Sequence, residues 1–243
     1  MARTITTQAI VLRAAAYRDH HRILTLFSPQ YGQLTAAAHG ALGAKSKLRA
    51  ASVPYASGEY VLSGASERLS VVSFAPDAQY YGAMTDYDAI VHAGVLGAFC
   101  QCVILPDQGA PGLYALLLEA LAYLNFGDYP ARTVLCAYLL RMLDEAGFAP
   151  GIRQCMCCGA QRGWPMLEFE SGGLCCRKCR PNACALPRGG PAFLRQARQG
   201  QIGALTAQDA AQLAEALLKY AQDALGQPLR AAALLDTAGP TNS

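Results

Sequence analysis

Charge is scarce in this chain of 243 residues: Asp, Glu, Lys and Arg make up 15%, against 53% hydrophobic residues. That balance excludes an intrinsically disordered chain and implies extensive burial. Histidine is scarcer, with four residues, and no H-x-E or H-E-x-x-H motif occurs, which removes the common zinc deaminase and zinc protease chemistries. Gly40-Ala-Leu-Gly43-Ala-Lys45-Ser46 fails as a phosphate loop, because Ala44 separates the glycine from the lysine that must follow it directly. Carboxylates are sparse wherever cations cluster, so no paired-carboxylate nuclease site is visible. The best candidate for a membrane span, Ala89 to Leu105, is short, contains His92 and Gln101, and follows acidic residues; it reads as a buried helix. At the start of the chain an apolar run is cut by Arg13, which does not make a secretory signal. Internal repeats and low-complexity tracts are lacking. These absences predict a cytoplasmic protein without enzymatic activity, small-molecule substrate or membrane contact.

Cysteine, by contrast, is plentiful. Of ten cysteines, six fall in CMCCGAQRGWPMLEFESGGLCCRKC, residues 155–179. A reducing compartment favours metal binding over disulfides or thiol redox chemistry. Two C-x2-C pairs, Cys155 with Cys158 and Cys176 with Cys179, are separated by seventeen residues, within the spacing of structural zinc sites. Two intervening residues let the chain turn so that both sulfurs face one ion. Gly159 and the Gly172-Gly173 pair can supply the backbone freedom those turns require. Cys157 and Cys175 are one residue out of phase and should point away. Four thiolates around one zinc ion leave no open coordination position, so the site is structural. The apolar residues around it (Trp164, Met166, Leu167, Phe169 and Leu174) are few, so metal binding is expected to supply much of the folding free energy, on the order of 10 kcal/mol. Cys100-x-Cys102 and His20-His21 lack ligand spacing and read as structural.

Charge is segregated along the chain. Residues 1–75 hold eight cations and three acids, residues 76–151 two and eight, and residues 152–188 six and two. Basic modules on either side of an acidic, apolar middle suggest a polyanionic partner.

The fold expectation is α+β. Alternating patterns predict five strands, at Ile5–Arg13, Arg22–Ser28, Gln33–His39, Val53–Ser63 and Arg68–Ala75, separated by turn residues. Five short strands suit an OB-type barrel over residues 1–78, a fold whose face and loops commonly hold single-stranded nucleic acid. Residues 79–243 read as a helical bundle with helices at 84–105, 111–126 and 128–147, the third capped by Asp128, and another from Thr206 to Gly226. Residues 152–186 form an inserted four-cysteine zinc finger, decorated by Arg177 and Lys178 among others, which are further candidates for DNA contact. In the barrel, Lys45-Ser-Lys47-Leu-Arg49 makes a mobile phosphate-binding arm, with Arg13, Arg22 and His39 adding to the groove and Tyr31 as a possible stacking platform.

Ala9-Ile-Val-Leu-Arg13, Tyr17, Arg22-Ile-Leu-Thr-Leu-Phe27, Tyr31-Gly32 and the basic loop resemble the RecO family of recombination mediators. The order of parts (barrel, helices, C-x2-C-G, Gly-Gly, C-x2-C) is similar to that family along nearly the whole chain. The resemblance implies a DNA-repair accessory protein that binds single- and double-stranded DNA and anneals complementary strands. It implies action with RecR, and often RecF, to help RecA replace the single-strand binding protein SSB. It places zinc on Cys155, Cys158, Cys176 and Cys179 and DNA on Lys45, Lys47 and Arg49. The chain departs from the family at His21, where an acid is frequent, and around His39 and Ala41–Ala44, where cations are fewer. Arg132, Arg195 and Arg198 are candidates to replace those cations. The competing reading is a zinc-containing protein-interaction adaptor with incidental DNA contact; a zinc-dependent nuclease ranks third.

Overall fold

Alternation of apolar and polar residues builds five strands that close on themselves. The computed structural model describes residues 3–43, 45–65, 68–77, 84–161, 163 and 165–236. Strands β1 (Arg3–Tyr17), β2 (His21–Ser28), β3 (Gly32–Ala38), β4 (Ser57–Ala65) and β5 (Arg68–Pro76) form a closed barrel in the order β1-β2-β3-β5-β4. All pairs are antiparallel except β3 with β5. This is the OB-type barrel expected. Strand β1 runs longer than the pattern indicated because it serves two partners. Its first half pairs with β4 and its second half with β2, with a register shift between Val11 and Arg13 that lets it bend around the barrel. Leu24 and Leu26 of β2, Leu34, Ala36 and Ala38 of β3, and Tyr60 and Leu62 of β4 point inward. Each large side chain so buried contributes about 1.5–3 kcal/mol.

The fourth strand starts later than its apolar pattern suggested. Ala50–Ser52 form a 3₁₀ turn, and Tyr55 takes a positive φ of 62°. Pro54 cannot donate to a ladder. The Tyr55 N–H instead reaches the Val11 carbonyl at 2.8 Å, and the Tyr60 hydroxyl closes on the Ala51 carbonyl at 2.9 Å.

The chain forms two compact units. One comprises the residues up to Thr85 together with Val103–Ala115; the other comprises Asp86–Cys102 and the chain from Leu116 on. The boundary expected between residues 78 and 79 lies outside the described residues. The returning segment joins the barrel through Gln33 N–H, which donates to the Leu105 carbonyl at 3.2 Å, and through an edge-to-face contact of Phe27 with Tyr114.

Helix α1 (Tyr87–Val103) is shorter at both ends than expected, since Leu105 precedes Pro106 and pairs with the barrel instead. Helix α2 (Pro111–Phe126) begins as expected. Helix α3 (Ala131–Glu145) is buried along most of its length and is the axis of the second unit. Asp128 does not cap it: Pro130 stands at the N-cap in an extended conformation, with no side-chain cap bond. A three-stranded sheet follows, β7-β6-β8, with β6 (Met166–Glu168), β7 (Gly173–Cys175) and β8 (Cys184–Ala185). Helix α4 (Gly190–Arg198) was not foreseen. Helix α5 (Ala207–Leu225) is capped by Thr206, whose hydroxyl accepts from Asp209 N–H at 3.1 Å, and ends on Gly226 at φ 64°. A 3₁₀ segment, Arg230–Asp236, follows. Among the described residues no helix is long and apolar enough to cross a membrane.

Candidate metal centre and nucleic-acid interface

The two C-x2-C pairs meet. The sulfurs of Cys155, Cys158, Cys176 and Cys179 all lie within 4.8 Å of one another, and Cys158 Sγ is 3.9 Å from Cys176 Sγ. Sulfurs at the corners of a tetrahedron with metal–sulfur bonds of about 2.3 Å stand about 3.8 Å apart, so four soft donors are spaced for one tetrahedral ion. Each pair sits on a tight turn. In the first, Gly159 N–H donates to the Cys155 carbonyl at 2.8 Å, and Gly159 takes φ 71°. In the second, the N–H groups of Cys179 and Arg180 both reach the Cys176 carbonyl. The turns are tied together by Cys176 N–H, 3.3 Å from Cys155 Sγ.

The electrostatic setting of the sulfurs is uneven. Burial opposes ionisation of Cys155, but backbone N–H groups of Cys158, Cys176 and Cys157 pull its pKa down to about 6. Cys179 moves the other way, because its hydrogen bonds to the Cys176 and Cys158 sulfurs favour the thiol. Of these two, only Cys155 is held toward the thiolate by protein groups, and a divalent ion bound there would favour ionised sulfur at both.

Cys157 and Cys175 are turned away, as their phase required. Cys157 is exposed and faces Ser171 Oγ at 3.6 Å; Cys175 is buried, and burial pushes its thiol up to about 11. Gly173, at φ 142°, lies against Gly151, where an added Cβ would come within 2.3 Å of backbone. The finger does not stand alone. Met166, Leu167 and Leu174 are buried, Phe169 packs edge-to-face on Tyr220 of α5, and Gln212 of α5 donates to the Ala185 carbonyl. Arg162 and Trp164 lie outside the described residues.

On the barrel, Lys45, Lys47 and Arg49 are all exposed, while Leu48 between them packs against the core. The loop is not a free arm. Successive turns hold it, with Gly43, Ser46, Arg49 and Ser52 N–H groups each donating three residues back. His39 is exposed and stacks edge-to-face on His21, whose Nδ1 accepts from Gly40 N–H at 2.9 Å. Arg22 is half-buried and donates to the Ser52 carbonyl, so it braces the loop's far end. Arg13 is exposed farther along, opposite Thr25, which in turn faces Thr35. Tyr31 is set apart. It precedes β3 while His39 follows it, about 25 Å away at 3.3 Å per residue, and it packs against the barrel core.

Sequence reasoning missed Arg18. It sits in the 17–20 turn with positive φ, its guanidinium 5.1 Å from the centre of the exposed Tyr17 ring. That turn adjoins the basic loop, because Leu42 N–H donates to the His20 carbonyl. A cation between a strand end and a turn has no periodic signal.

The helical-unit candidates divide. Arg177, Lys178 and Arg195 are exposed. Arg198 is bidentate on Asp144 at 2.6 and 2.7 Å and also donates to the Pro150 carbonyl, which locks α4 to α3. Arg132 donates to the Leu235 carbonyl at 3.0 Å. Both are engaged inside the fold.

A closed OB-type barrel followed by helices, with four clustered cysteines that could hold one metal ion, is the class of protein the fold defines. Sequence comparison makes the class specific. The family model described as Recombination protein O N terminal matches residues 1–81, and that described as Recombination protein O C terminal matches residues 84–233. The chain is 31% identical over 206 residues to the DNA repair protein RecO of Heliobacterium modesticaldum, covering 81% of this chain and 74% of that protein. It is 28% identical to the DNA repair protein RecO of Anaeromyxobacter sp. (strain K), covering 95% of each. The chain belongs to the RecO family of DNA repair proteins.

Proposed function

We propose that this protein is a recombination mediator without catalytic activity. It binds single- and double-stranded DNA, anneals complementary strands and, with RecR and RecF, helps load RecA onto single strands coated by SSB. The observation that carries this reading is the exposed cation row Lys45, Lys47 and Arg49, on a turn-braced loop beside Arg18 and Tyr17 at one end of an OB-type barrel. Cations spaced along a loop neutralise successive phosphates, and repulsion between two strands falls as they do. Tyr17 offers one face for a base. Zinc is the ion we assign to Cys155, Cys158, Cys176 and Cys179, since it has the softness and tetrahedral preference the four sulfurs match. When bound it holds the finger's two turns together. The protein acts at the nucleoid, in the cytoplasm.

The test is binding of a labelled single-stranded oligonucleotide over a salt series, followed by annealing of SSB-coated complementary strands. K45A/K47A/R49A is expected to reduce the salt slope by about 2, at about 0.7 per phosphate lost, for every sequence alike. An unchanged slope would remove the loop from the site. An absence of annealing by the native chain, with or without SSB, would replace the mediator by an adaptor.

A further inference from the structure

Several cations of the second unit are tied down: Arg180 to Glu168, Arg198 to Asp144, Arg141 to Glu119 and Lys219 to Asp223. Beside the metal centre the pattern changes. A groove of about 890 Å³ opens there, and four of its lining residues are Arg177, Lys178, Arg188 and Arg195. Among the described residues no carboxylate lines it. All four cations are exposed, and Arg177, Lys178 and Arg188 make no ion pair among the described residues. Four parts of the chain converge to make it: residues that follow the first cysteine pair (Cys158, Ala160, Gln161, Gly163 and Pro165), the turn between Cys176 and Cys179, the segment before α4, and the exposed face of α4. Between the cations lie the buried Pro187 and the half-buried Pro165 and Pro191.

Like charges gathered around one groove raise its positive potential and draw an anion to it. The metal centre supplies part of that. Cys158 and Cys176 line the groove, and four thiolates on a divalent ion leave two net negative charges. Arg177, Lys178 and Arg188 alone outnumber that charge. Guanidinium forks match phosphate oxygens with paired hydrogen bonds, and three of the four cations are arginine. Proline rings give unstacked bases an apolar surface while the phosphates stay at the exposed rim.

We propose that this groove binds a second single strand of DNA, distinct from the strand held on the barrel. The inference rests on the DNA-binding reading above and adds a separate site to it. One chain then carries both reactants of an annealing step.

The experiment titrates labelled dT oligonucleotide into the full-length, metal-loaded chain. Four forms are compared: native, R177A/K178A/R188A/R195A, K45A/K47A/R49A, and all seven substitutions together. The native chain is expected to bind two strands per chain and the groove variant one. The barrel variant should retain a site with a salt slope of about 3, from four phosphates at about 0.7 each, and the combined variant should lose it. Metal content checks the fold of each form. R188A/R195A, which leaves the cysteine turn untouched, should lower that slope by about half. Two strands per chain in the groove variant, with the native slope, would overturn the proposal while leaving the barrel reading intact. Loss of binding in the groove variant alone, with the barrel variant unchanged, would sink the barrel reading and keep the groove. Retention of both strands together with lost binding of a polyglutamate peptide would assign the groove to an acidic polypeptide and overturn the proposal.

Discussion

A single position decides which cysteines matter. Cys155 and Cys157 differ by one residue, yet Cys155 Sγ faces the other three sulfurs and accepts Cys176 N–H, while Cys157 turns out toward Ser171. Cys155→Ser is expected to lose the metal and loosen the finger, and Cys157→Ser to keep it; metal analysis of the purified variants reads this directly. Equal loss in both would refute the assignment of ligands. His92 is a second informative residue. It is 1% exposed on α1, its Nδ1 lies 2.7 Å from the Asp88 carbonyl and 3.3 Å from the Asp88 carboxylate, and its Nε2 is buried without a partner among the described residues. Burial lowers its pKa, the Asp88 carbonyl and carboxylate oppose that, Arg132 adds to the lowering, and Asp86 opposes it. The unfolded chain therefore binds a proton more readily. The stabilisation is complete above about pH 6.5 and is lost as pH falls toward the folded-state value, at a slope of at most about 1.4 kcal/mol per pH unit. Urea midpoints should fall between pH 7.5 and 5.5, and His92→Gln should flatten that dependence. Identical slopes in both proteins would show that other groups carry it.

At the level of elements, the strands were legible wherever alternation was strict, as in Leu24, Leu26 and Leu34. Alternation failed at two places for physical reasons. Ala14-Ala15-Ala16 carries no contrast, so the far end of β1 was invisible. Val53-Pro54-Tyr55 continues an apolar pattern, but a proline and a positive φ break the ladder there. The short α4 was hidden because Gly189, Gly190 and Pro191 read as a loop. Glycines mark the joints that pattern cannot. Gly32 has φ 63°, and a Cβ on it would come within 2.1 Å of the Leu105 carbonyl and 2.3 Å of the Gln108 carbonyl. Gly40 has nearly the same φ, 66°, with nothing within 4 Å. Gly40→Ala should cost only the left-handed conformation, about 1 kcal/mol. Gly32→Ala should cost that and the displacement of the 103–115 segment, more than about 2 kcal/mol in all. Comparing the two urea midpoints separates backbone strain from the clash. Equal costs would show that the segment yields freely.

For the whole molecule, the four-cysteine cluster was legible, whereas Arg177, Lys178 and Arg195 were read singly and not as one groove. Ligand spacing is a local property, fixed by two residues between cysteines. Arg177, Arg188 and Arg195 come together only because β8 and α4 fold back past the finger. The same distinction governs how the chain should respond to loss of metal. The barrel has its own core, with Tyr60, Leu24, Leu26 and Leu62 all fully buried, and no contribution from the cysteines. The finger's own cluster is Cys155, Met166 and Cys175, backed by Ala160 and Ala183 among others. Helix α5 packs against it through Phe169 on Tyr220 and Gln212 on Ala185. Exhaustive chelation should therefore open the two cysteine turns, which depend on the ion to offset thiolate repulsion, and leave the barrel folded. Limited proteolysis of the chelated protein is expected to cut within residues 152–186 while residues 3–77 stay protected, and restored metal should restore resistance. Binding of one strand at the barrel should survive chelation with its salt slope unchanged. Simultaneous cleavage of both regions would mean that the barrel depends on the finger for its stability, and the two units would then have to be treated as one cooperative structure.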